Sequence, residues 1–174
     1  PEELTRVFGL AECLDLAPRA NIAPATAIAV VRRSPAGDSV LHLLRWGLVP
    51  HWSQDPTRGA RPINARSESV QVKPAFRDAF LKRRCLIPAD GFYEWQTQEG
   101  TKQPFFFSDP QGQVLALAGL WESWRAPDGG LLRTTCILTT AANALVAPVH
   151  DRMPLILSPR SWATWLEGSA AAAQ

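Results

Sequence analysis

The sequence predicts an α+β fold in which a mainly antiparallel sheet curls into a barrel-like shape, with a few short helices beside it. Many short apolar runs are bounded by turn signals, which is typical of antiparallel strands. Helical patterns lie among these runs without the strict strand–helix alternation of a parallel sheet. The 174 residues, 46% hydrophobic and 20% charged, suit a globular protein with one sizeable core. We therefore expect a single domain over residues 1–174.

The amino-terminal part predicts a helix followed by two strands. Residues 1–10, "PEELTRVFGL", begin with Pro1, carry acids in the first turn and reach Gly9 near the end, which are helix boundary signals. The apolar runs 26–33 and 39–49 are separated by the turn sequence "SPAGD" and predict two strands.

The middle of the chain predicts a long loop and then a helix. Residues 50–73 are rich in Pro, Gly, Ser and Arg, and loops of this length are usually functional or disordered. The aromatic and arginine side chains in this loop favour a functional one. Residues 74–84 form an amphipathic pattern in which Phe76, Phe80 and Leu81 share one face, so we expect a helix there.

The second half predicts further strands and ends with a helix. The strand candidates are residues 85–96, 103–108, 114–124 and 132–141. A short helix is expected over 141–149. Ser158 is placed to cap a last helix over 159–168, in which Trp162 and Trp165 share a face.

Charge and cysteine content restrict the class of protein. The net charge of +2 excludes a polycation, so any nucleic-acid affinity has to come from a local patch. No apolar stretch approaches the roughly 20 residues that cross a bilayer, and the start does not resemble a secretory signal. Cys13, Cys85 and Cys136 are widely spaced, which favours buried thiols in a reducing cytoplasm over a disulfide framework or a zinc ribbon.

Three stretches place strongly polar side chains beside apolar runs, at expected strand ends or loops. They are "INARSES" at 63–69, "ADGFYEW" at 89–95 and "VHDRMP" at 149–154. A closed sheet can bring distant strand ends together at one end of a barrel, where small binding sites often form. We therefore expect the polar side chains of these stretches to converge.

Glu94 is the first candidate for proton transfer. It can face solvent while Tyr93 and Trp95 pack on the opposite face of the strand. Alternation also puts Phe92 on the same face as Glu94, where loss of water would raise the pKa of the carboxyl towards neutrality. The sequence leaves both arrangements open.

His150 is the second candidate, because an imidazole can act as acid or base near neutral pH. Its charged neighbours favour a function, whereas the alternative, a loop histidine without a role, fits His42. A set of His, Asp and Glu could bind a metal, but the chain lacks HxxxH or HxH spacing. We therefore expect no metal.

The long loop suggests contact with single-stranded nucleic acid. Asn64 and Arg66 alternate in "INAR", so their amide and guanidinium would point the same way and suit a sugar hydroxyl and a phosphate. Cations and aromatic rings also interleave nearby, at Trp46, His51, Trp52, Arg58 and Arg61. Rings can stack on bases while arginines follow the backbone. The alternative is an ordinary solvated loop.

Taken in order, these stretches resemble the SOS-response-associated peptidase (SRAP) family, relatives of the protein that shields abasic sites in single-stranded DNA. The resemblance is carried by "NIAP", "RWGLVPHW", "INARSES", "KPAFRDAFLKRRCLIPADGFYEW", "QPFFF", "LALAGLWE", "ILTTAAN" and "VHDRMPLIL". Several long motifs with consistent spacing cover most of the chain.

The resemblance implies a β-rich α+β domain with a groove for single-stranded DNA. In the family, an amino-terminal cysteine attacks the aldehyde of an abasic site and forms a thiazolidine ring. The family's catalytic residues fall on Asn64, which would hold the sugar, Glu94, which would shuttle protons, and His150, which would assist proton transfer. The implied DNA contacts are Pro24, Trp46, Trp52, Arg61, Arg66 and Arg152. The resemblance further implies no cofactor, a monomer, and a cytoplasmic protein that associates with the nucleoid when bound to DNA.

The chain departs from the family pattern at its start. The family begins with a short "CGR" segment, whereas this chain opens at Pro1, and Cys13 cannot supply a free α-amine. We therefore expect crosslinking in the intact protein and not in this chain. The family also usually continues into another strand after a helix such as 159–168. Two alternatives to abasic-site processing remain open: a self-processing, peptidase-type hydrolase and a non-catalytic single-stranded DNA binder.

Overall fold

The structure is a computed structural model that describes residues 2–12, 14–57, 59 and 61–168, and these contain three helices and nine strands. The helices are α1 (Glu2–Phe8), α2 (Arg77–Lys82) and α3 (Pro159–Glu167). The strands are β1 (Ala27–Arg33), β2 (Ser39–Trp46), β3 (Asn64–Arg66), β4 (Arg84–Ala89), β5 (Gly91–Gln98), β6 (Thr101–Ser108), β7 (Leu115–Arg125), β8 (Leu131–Ala141) and β9 (Arg152–Pro154).

Five strands close into a mixed barrel in the order β2-β1-β4-β7-β8. Neighbours in this order pair antiparallel, and a parallel pairing of β2 with β8 closes the barrel. The end of β8 also pairs with β3 in parallel and with β9 in antiparallel orientation. Strands β5 and β6 form a separate antiparallel hairpin. The predicted α+β class, with a barrel-like and mainly antiparallel sheet, is confirmed.

Two apolar cores lie on the two faces of the barrel wall. The inner core takes residues from the closing strands: Ile28, Val30, Leu44, Cys85, Ile87, Leu117 and Ile137. The outer core packs the wall against the helices and includes Phe8, Val31, Phe80, Leu86, Leu120, Leu138 and Trp165. Helix α3 is fixed to the wall because the Trp165 indole N–H donates to the Cys85 carbonyl at 2.8 Å.

The predicted strand over 85–96 is in fact two strands that belong to different sheets. Strand β4 stays in the barrel wall, the chain bends at Asp90, and β5 leaves to pair with β6. A Cβ atom at Gly91 would collide with the ring of Phe106 and the carbonyl oxygen of Phe107. The bend therefore depends on a close approach of β6 that only glycine permits.

Several predicted helices are shorter in the structure. The helix expected over 74–84 is formed only at α2, and Leu81, expected on its apolar face, is 54% exposed. Residues 144–149 form turns and not the expected short helix. Ser158 stands at the N-cap position of α3, as expected, but its side chain makes no capping hydrogen bond.

The expected buried thiols are confirmed for two of the three cysteines. Cys85 and Cys136 are buried, and loss of water raises the pKa of both thiols, that of Cys85 to about 12. Cys13 lies outside the described residues. No helix in the described part of the chain has the length and apolar character needed to span a membrane.

Candidate functional site at one end of the barrel

The side chains of β5 alternate between half-buried and exposed positions. Glu94 pairs with Phe105, and on the same face Phe92 stacks against Phe107 with ring centroids 5.3 Å apart. The opposite face, with Tyr93, Trp95 and Phe106, is exposed. Of the two arrangements that the sequence left open, the structure has the one in which Glu94 shares a face with aromatic rings.

The Glu94 carboxyl is partly withdrawn from water. Its side chain is 21% exposed, and this burial raises its pKa above the ordinary value for glutamate. The charge of His150 opposes the shift, whereas the charge of Asp151 adds to it. A carboxyl with a raised pKa can exchange protons closer to neutral pH than an exposed one.

His150 lies beside Glu94. Its Nδ1 is 3.9 Å from Glu94 Oε2 and 3.4 Å from Asp151 Oδ1. The same Nδ1 is 3.0 Å from both the backbone nitrogen and the backbone oxygen of Arg152. Nδ1 can therefore accept from the N–H when it is unprotonated and donate to the carbonyl when it carries a proton. The ring keeps a backbone partner in either state.

The hairpin is attached to the loop that carries His150. Gln96 shares a face with Glu94, and its side-chain amide donates to the Pro148 carbonyl at 2.7 Å. The side chain of Asn143 accepts the N–H groups of Leu145 and Val146 at 3.1 and 3.0 Å and so shapes this loop. These contacts fix the position of the loop relative to the hairpin, and therefore that of His150 relative to Glu94.

An open cleft of about 550 Å³ lies at this pair and is lined by Glu94, Trp95, Thr97, Lys102 and His150. Sequence reasoning missed Lys102, which contributes to the lining of the same cleft. It stands on β6 opposite Thr97, and this register depends on how the hairpin closes. In the described part of the chain, no group of three or more His, Cys, Asp or Glu side chains is placed to hold a metal ion.

Asn64 and Arg66 lie at both ends of β3 and are exposed on either side of the buried Ala65. They pair with Ile137 and Thr139 of β8 and point the same way, as alternation predicts. Among the described residues, no hydrogen bond joins Asn64 to Glu94 or His150. The convergence of Asn64 with that pair stays a prediction.

Arg152 connects β9 with the turn that follows β3 and with β8. Its guanidinium donates to both carboxylate oxygens of Glu68, at 2.6 and 2.9 Å, and to the Thr139 carbonyl at 2.7 Å. This hydrogen bonding lowers the pKa of Glu68 to about 2 and raises that of Arg152. Sequence reasoning missed Glu68. The DNA contact expected of Arg152 stays a prediction, and the structure gives this side chain a structural role.

The other residues expected to contact DNA have different environments. Trp52 is 57% exposed, and Pro24 lies exposed in the turn before β1. Arg61 is half-buried, and Trp46 is half-buried with its indole N–H donating to the Ile63 carbonyl at 2.9 Å. Arg58 lies outside the described residues. Their DNA contacts stay predictions. Of these residues, Trp52 is the most accessible side chain for stacking on a base.

A buried acid supports the loop that carries Trp52, and sequence reasoning missed it. Glu122 accepts from Arg83 Nη2 at 2.6 Å and lies 3.3 Å from Nδ1 of His51. The other nitrogen of His51 is 3.8 Å from Asp78. We call Asp78, Arg83, His51 and Glu122 the Glu122 cluster. An acid on a buried face of the apolar run 114–124 was a signal for Glu122 alone, and no such signal pointed to its partners.

The Glu122 cluster holds the residue before Trp52, and a second contact holds the residue after it. The indole N–H of Trp124 donates to the Ser53 carbonyl at 2.6 Å. Because His51 and Ser53 are both attached to the barrel, the Trp52 ring is presented to solvent on a fixed backbone.

Comparison with known proteins places the chain in a family. The model of the family described as SOS response associated peptidase (SRAP) matches residues 1–174, and the chain belongs to this family. The resemblance drawn from the sequence motifs is confirmed.

Curated relatives include "Abasic site processing protein YoqW" of Bacillus subtilis (strain 168), 41% identical over 150 residues, which cover 86% of this chain and 66% of the relative. "Abasic site processing protein HMCES" of Gallus gallus is 36% identical over 151 residues, which cover 74% of this chain and 45% of the relative. The chain thus spans just under two thirds of the first relative and less than half of the second.

Solved structures with the same fold include two bacterial proteins. A protein from Bordetella bronchiseptica is 27% identical with a TM-score of 0.85, and the match covers 99% of this chain and 86% of that one. A protein from Bacteroides thetaiotaomicron is 26% identical with a TM-score of 0.77, and the match covers 86% of this chain and 68% of that one.

Proposed function

We propose that this domain recognises abasic sites in single-stranded DNA, and that Glu94 and His150 move protons while an amino-terminal cysteine of the intact protein captures the opened sugar. The observation that carries the proposal is the pair of Glu94 and His150 in an open cleft. The Glu94 carboxyl is half-buried and has a raised pKa, and one of its oxygens lies 3.9 Å from the imidazole of His150. The printed names of the curated relatives support the substrate class.

The chemistry needs proton transfer at several points. The closed sugar loses a hydroxyl proton and gains a proton on its ring oxygen when it opens to the aldehyde. The cysteine amine and thiol then both bond to the aldehyde carbon, whose oxygen leaves as water. Glu94 and His150 can take and return these protons because burial raises the pKa of the Glu94 carboxyl and an imidazole can both accept and donate a proton.

The remaining roles follow the resemblance. Asn64 holds the sugar, and Arg66 binds a neighbouring phosphate through its planar guanidinium. The DNA groove continues over Pro24, Trp46, Trp52, Arg61 and Arg152. The domain acts as a monomer without a cofactor.

Two measurements test the proposal. This chain should bind an abasic single-stranded oligonucleotide more tightly than an intact one of the same sequence. A version preceded by the family's Cys-Gly-Arg start should form an adduct with the abasic oligonucleotide that survives a denaturing gel. Equal affinity for both oligonucleotides without an adduct would favour a non-catalytic binder, and turnover of peptides without DNA would favour a peptidase.

Replacing Trp52 with alanine should weaken binding of single-stranded DNA by about 1–3 kcal/mol, because a ring that stacks on a base contributes about that much. Fluorescence anisotropy with a labelled oligonucleotide measures the loss. Phe106→Ala removes another exposed ring, from the outer face of the hairpin, and should leave the affinity unchanged. An equal loss in both variants would remove Trp52 from the groove.

The pH dependence of the rate of adduct formation should follow the protonation state of the Glu94 carboxyl. If Glu94 acts as a base, the rate rises with pH as the carboxyl loses its proton. The charge of Asp151 raises the pKa of Glu94, so Asp151→Asn should move the rise to lower pH, by on the order of half a pH unit. Asp38→Asn, in the exposed turn between β1 and β2, should not move it. A shift to higher pH in Asp151→Asn would contradict the assignment.

A further inference from the structure

A concentration of positive charge lies at the end of the barrel away from the Glu94–His150 cleft. Arg32 on β1, His42 on β2 and Arg133 on β8 each stand an even number of positions from an inner-core residue of the same strand. Alternation therefore directs all three towards the barrel interior at the end where β1 finishes and β8 begins. We call this end the Arg32 mouth.

The Arg32 mouth is distinct from the Glu94–His150 cleft. Strand β8 passes from Arg133 to Thr139, where β9 begins to pair, and at ~3.3 Å per residue this is about 20 Å. None of the residues that line the cleft belongs to the Arg32 mouth.

Arg32 contacts the side chains of Trp121 and His42. Its guanidinium carbon lies 4.9 Å from the centroid of the Trp121 ring, and its Nη2 is 3.0 Å from Nε2 of His42. A guanidinium can only donate hydrogen bonds, so His42 Nε2 accepts, and the imidazole is neutral with its proton on Nδ1. The guanidinium therefore lies over the indole ring while it donates to the imidazole.

Within the described part of the chain, the positive charge of the Arg32 mouth has no acidic partner. Among the described residues, the ion pairs involve other side chains and give no carboxylate to Arg32, His42 or Arg133. The Nε of Arg32 is buried without a hydrogen-bond acceptor. Such a donor is costly to leave unpaired.

The environment disfavours the charged forms of these groups. Burial, and then the charge of Arg133, lowers the pKa of Arg32. Burial, and then the charges of Arg32 and Arg133, lowers the pKa of His42. The buried thiol of Cys85 also faces Arg32, from β4. An anion bound between the arginines would relieve the repulsion between them.

We propose that the Arg32 mouth binds a phosphate group, supplied either by free phosphate or by a nucleic-acid backbone. Two guanidinium forks match the geometry of phosphate oxygens, and hydrogen bonds between ionised partners are stronger than neutral ones. The proposal does not depend on the abasic-site function, because the two sites share no residue.

The test follows the imidazole NMR signals of His42 while inorganic phosphate is added to the chain. We expect a saturable shift in the unchanged chain and an affinity about tenfold weaker in Arg133→Gln, as expected for loss of one charge-assisted contact. Arg133 is exposed, so its replacement spares the core. The control is Arg45→Gln, which removes the same charge from the opposite face of β2 and should leave the affinity unchanged. A shift that does not saturate, or an equal effect of both substitutions, would overturn the proposal.

A second arm separates the two sources of phosphate. If the site takes a nucleic-acid backbone, a short single-stranded oligonucleotide should shift the His42 signals at a lower concentration than phosphate does, and Arg133→Gln should weaken that effect. If it takes free phosphate, the oligonucleotide should leave the His42 signals in place while phosphate still shifts them. The His150 signals respond to binding at the Glu94–His150 cleft and the His42 signals to binding at the Arg32 mouth. A failure of the phosphate proposal can therefore be distinguished from a failure of the proposed function.

Discussion

Replacing Arg83 with methionine is expected to lower the free energy of unfolding by about 3–5 kcal/mol, because the substitution leaves a buried carboxylate without its charged partner. Arg83 Nη2 lies 2.6 Å from Glu122 Oε1, and the Glu122 side chain is 2% exposed. The second carboxylate oxygen is already buried without a hydrogen-bond partner. Only the 3.3 Å contact with His51 would remain. Equilibrium urea denaturation measures the change.

Two further variants test whether the loss of stability comes from the unpaired Glu122 carboxylate. Arg33→Met makes the same chemical change at the more exposed Arg33–Glu167 pair, where the loss should be about 1 kcal/mol or less. Combining Arg83→Met with Glu122→Leu removes both charges and should recover much of the stability. Equal losses in Arg83→Met and Arg33→Met would show that the Glu122 cluster does not stabilise the fold as we describe.

Replacing Glu94 with glutamine should slow adduct formation by about 10²–10⁴-fold, the usual contribution of a positioned acid or base. Glutamine keeps the size and most of the polar contacts of glutamate but cannot take up or release the proton. Binding of abasic DNA should therefore change little. The measurement is the single-turnover rate of adduct formation in the version with the Cys-Gly-Arg start, with affinity measured in parallel.

The matched control for this substitution lies on the same hairpin. Glu99→Gln removes a carboxyl from the exposed turn between β5 and β6 and should leave the rate unchanged. If Glu94→Gln lowered affinity and rate by the same factor, Glu94 would be a binding residue and not a proton carrier.

The parts of the fold that depend on local pattern could be predicted from the sequence. Alternation and turn signals located the barrel strands, and the helical pattern located α3. The division between β4 and β5 could not be predicted, because the bend at Asp90 depends on the contact of Gly91 with Phe106 and Phe107 of another strand. The turns over 144–149 were mistaken for a helix, because Asn143 bonds the local backbone in a way that competes with one.

The candidate site was predictable to the extent that single residues carry a signal. Glu94 and His150 are polar groups beside apolar runs, and the structure brings them together. Lys102 was not predictable, because its place in the cleft depends on hairpin register. The Glu122 cluster was not predictable either, because it joins side chains from distant segments, such as His51 and Glu122. Such contacts exist only in the folded chain.

The imidazole NMR spectrum of this chain tests the central claim most directly, since its three histidines lie in three different environments. His150 lies at the cleft, His51 in the Glu122 cluster and His42 in the Arg32 mouth. Our account predicts that an abasic single-stranded oligonucleotide shifts the His150 signals further than an intact oligonucleotide does at equal saturation. Identical His150 signals with both oligonucleotides, while both bind, would contradict the claim that the opened sugar rests against Glu94 and His150.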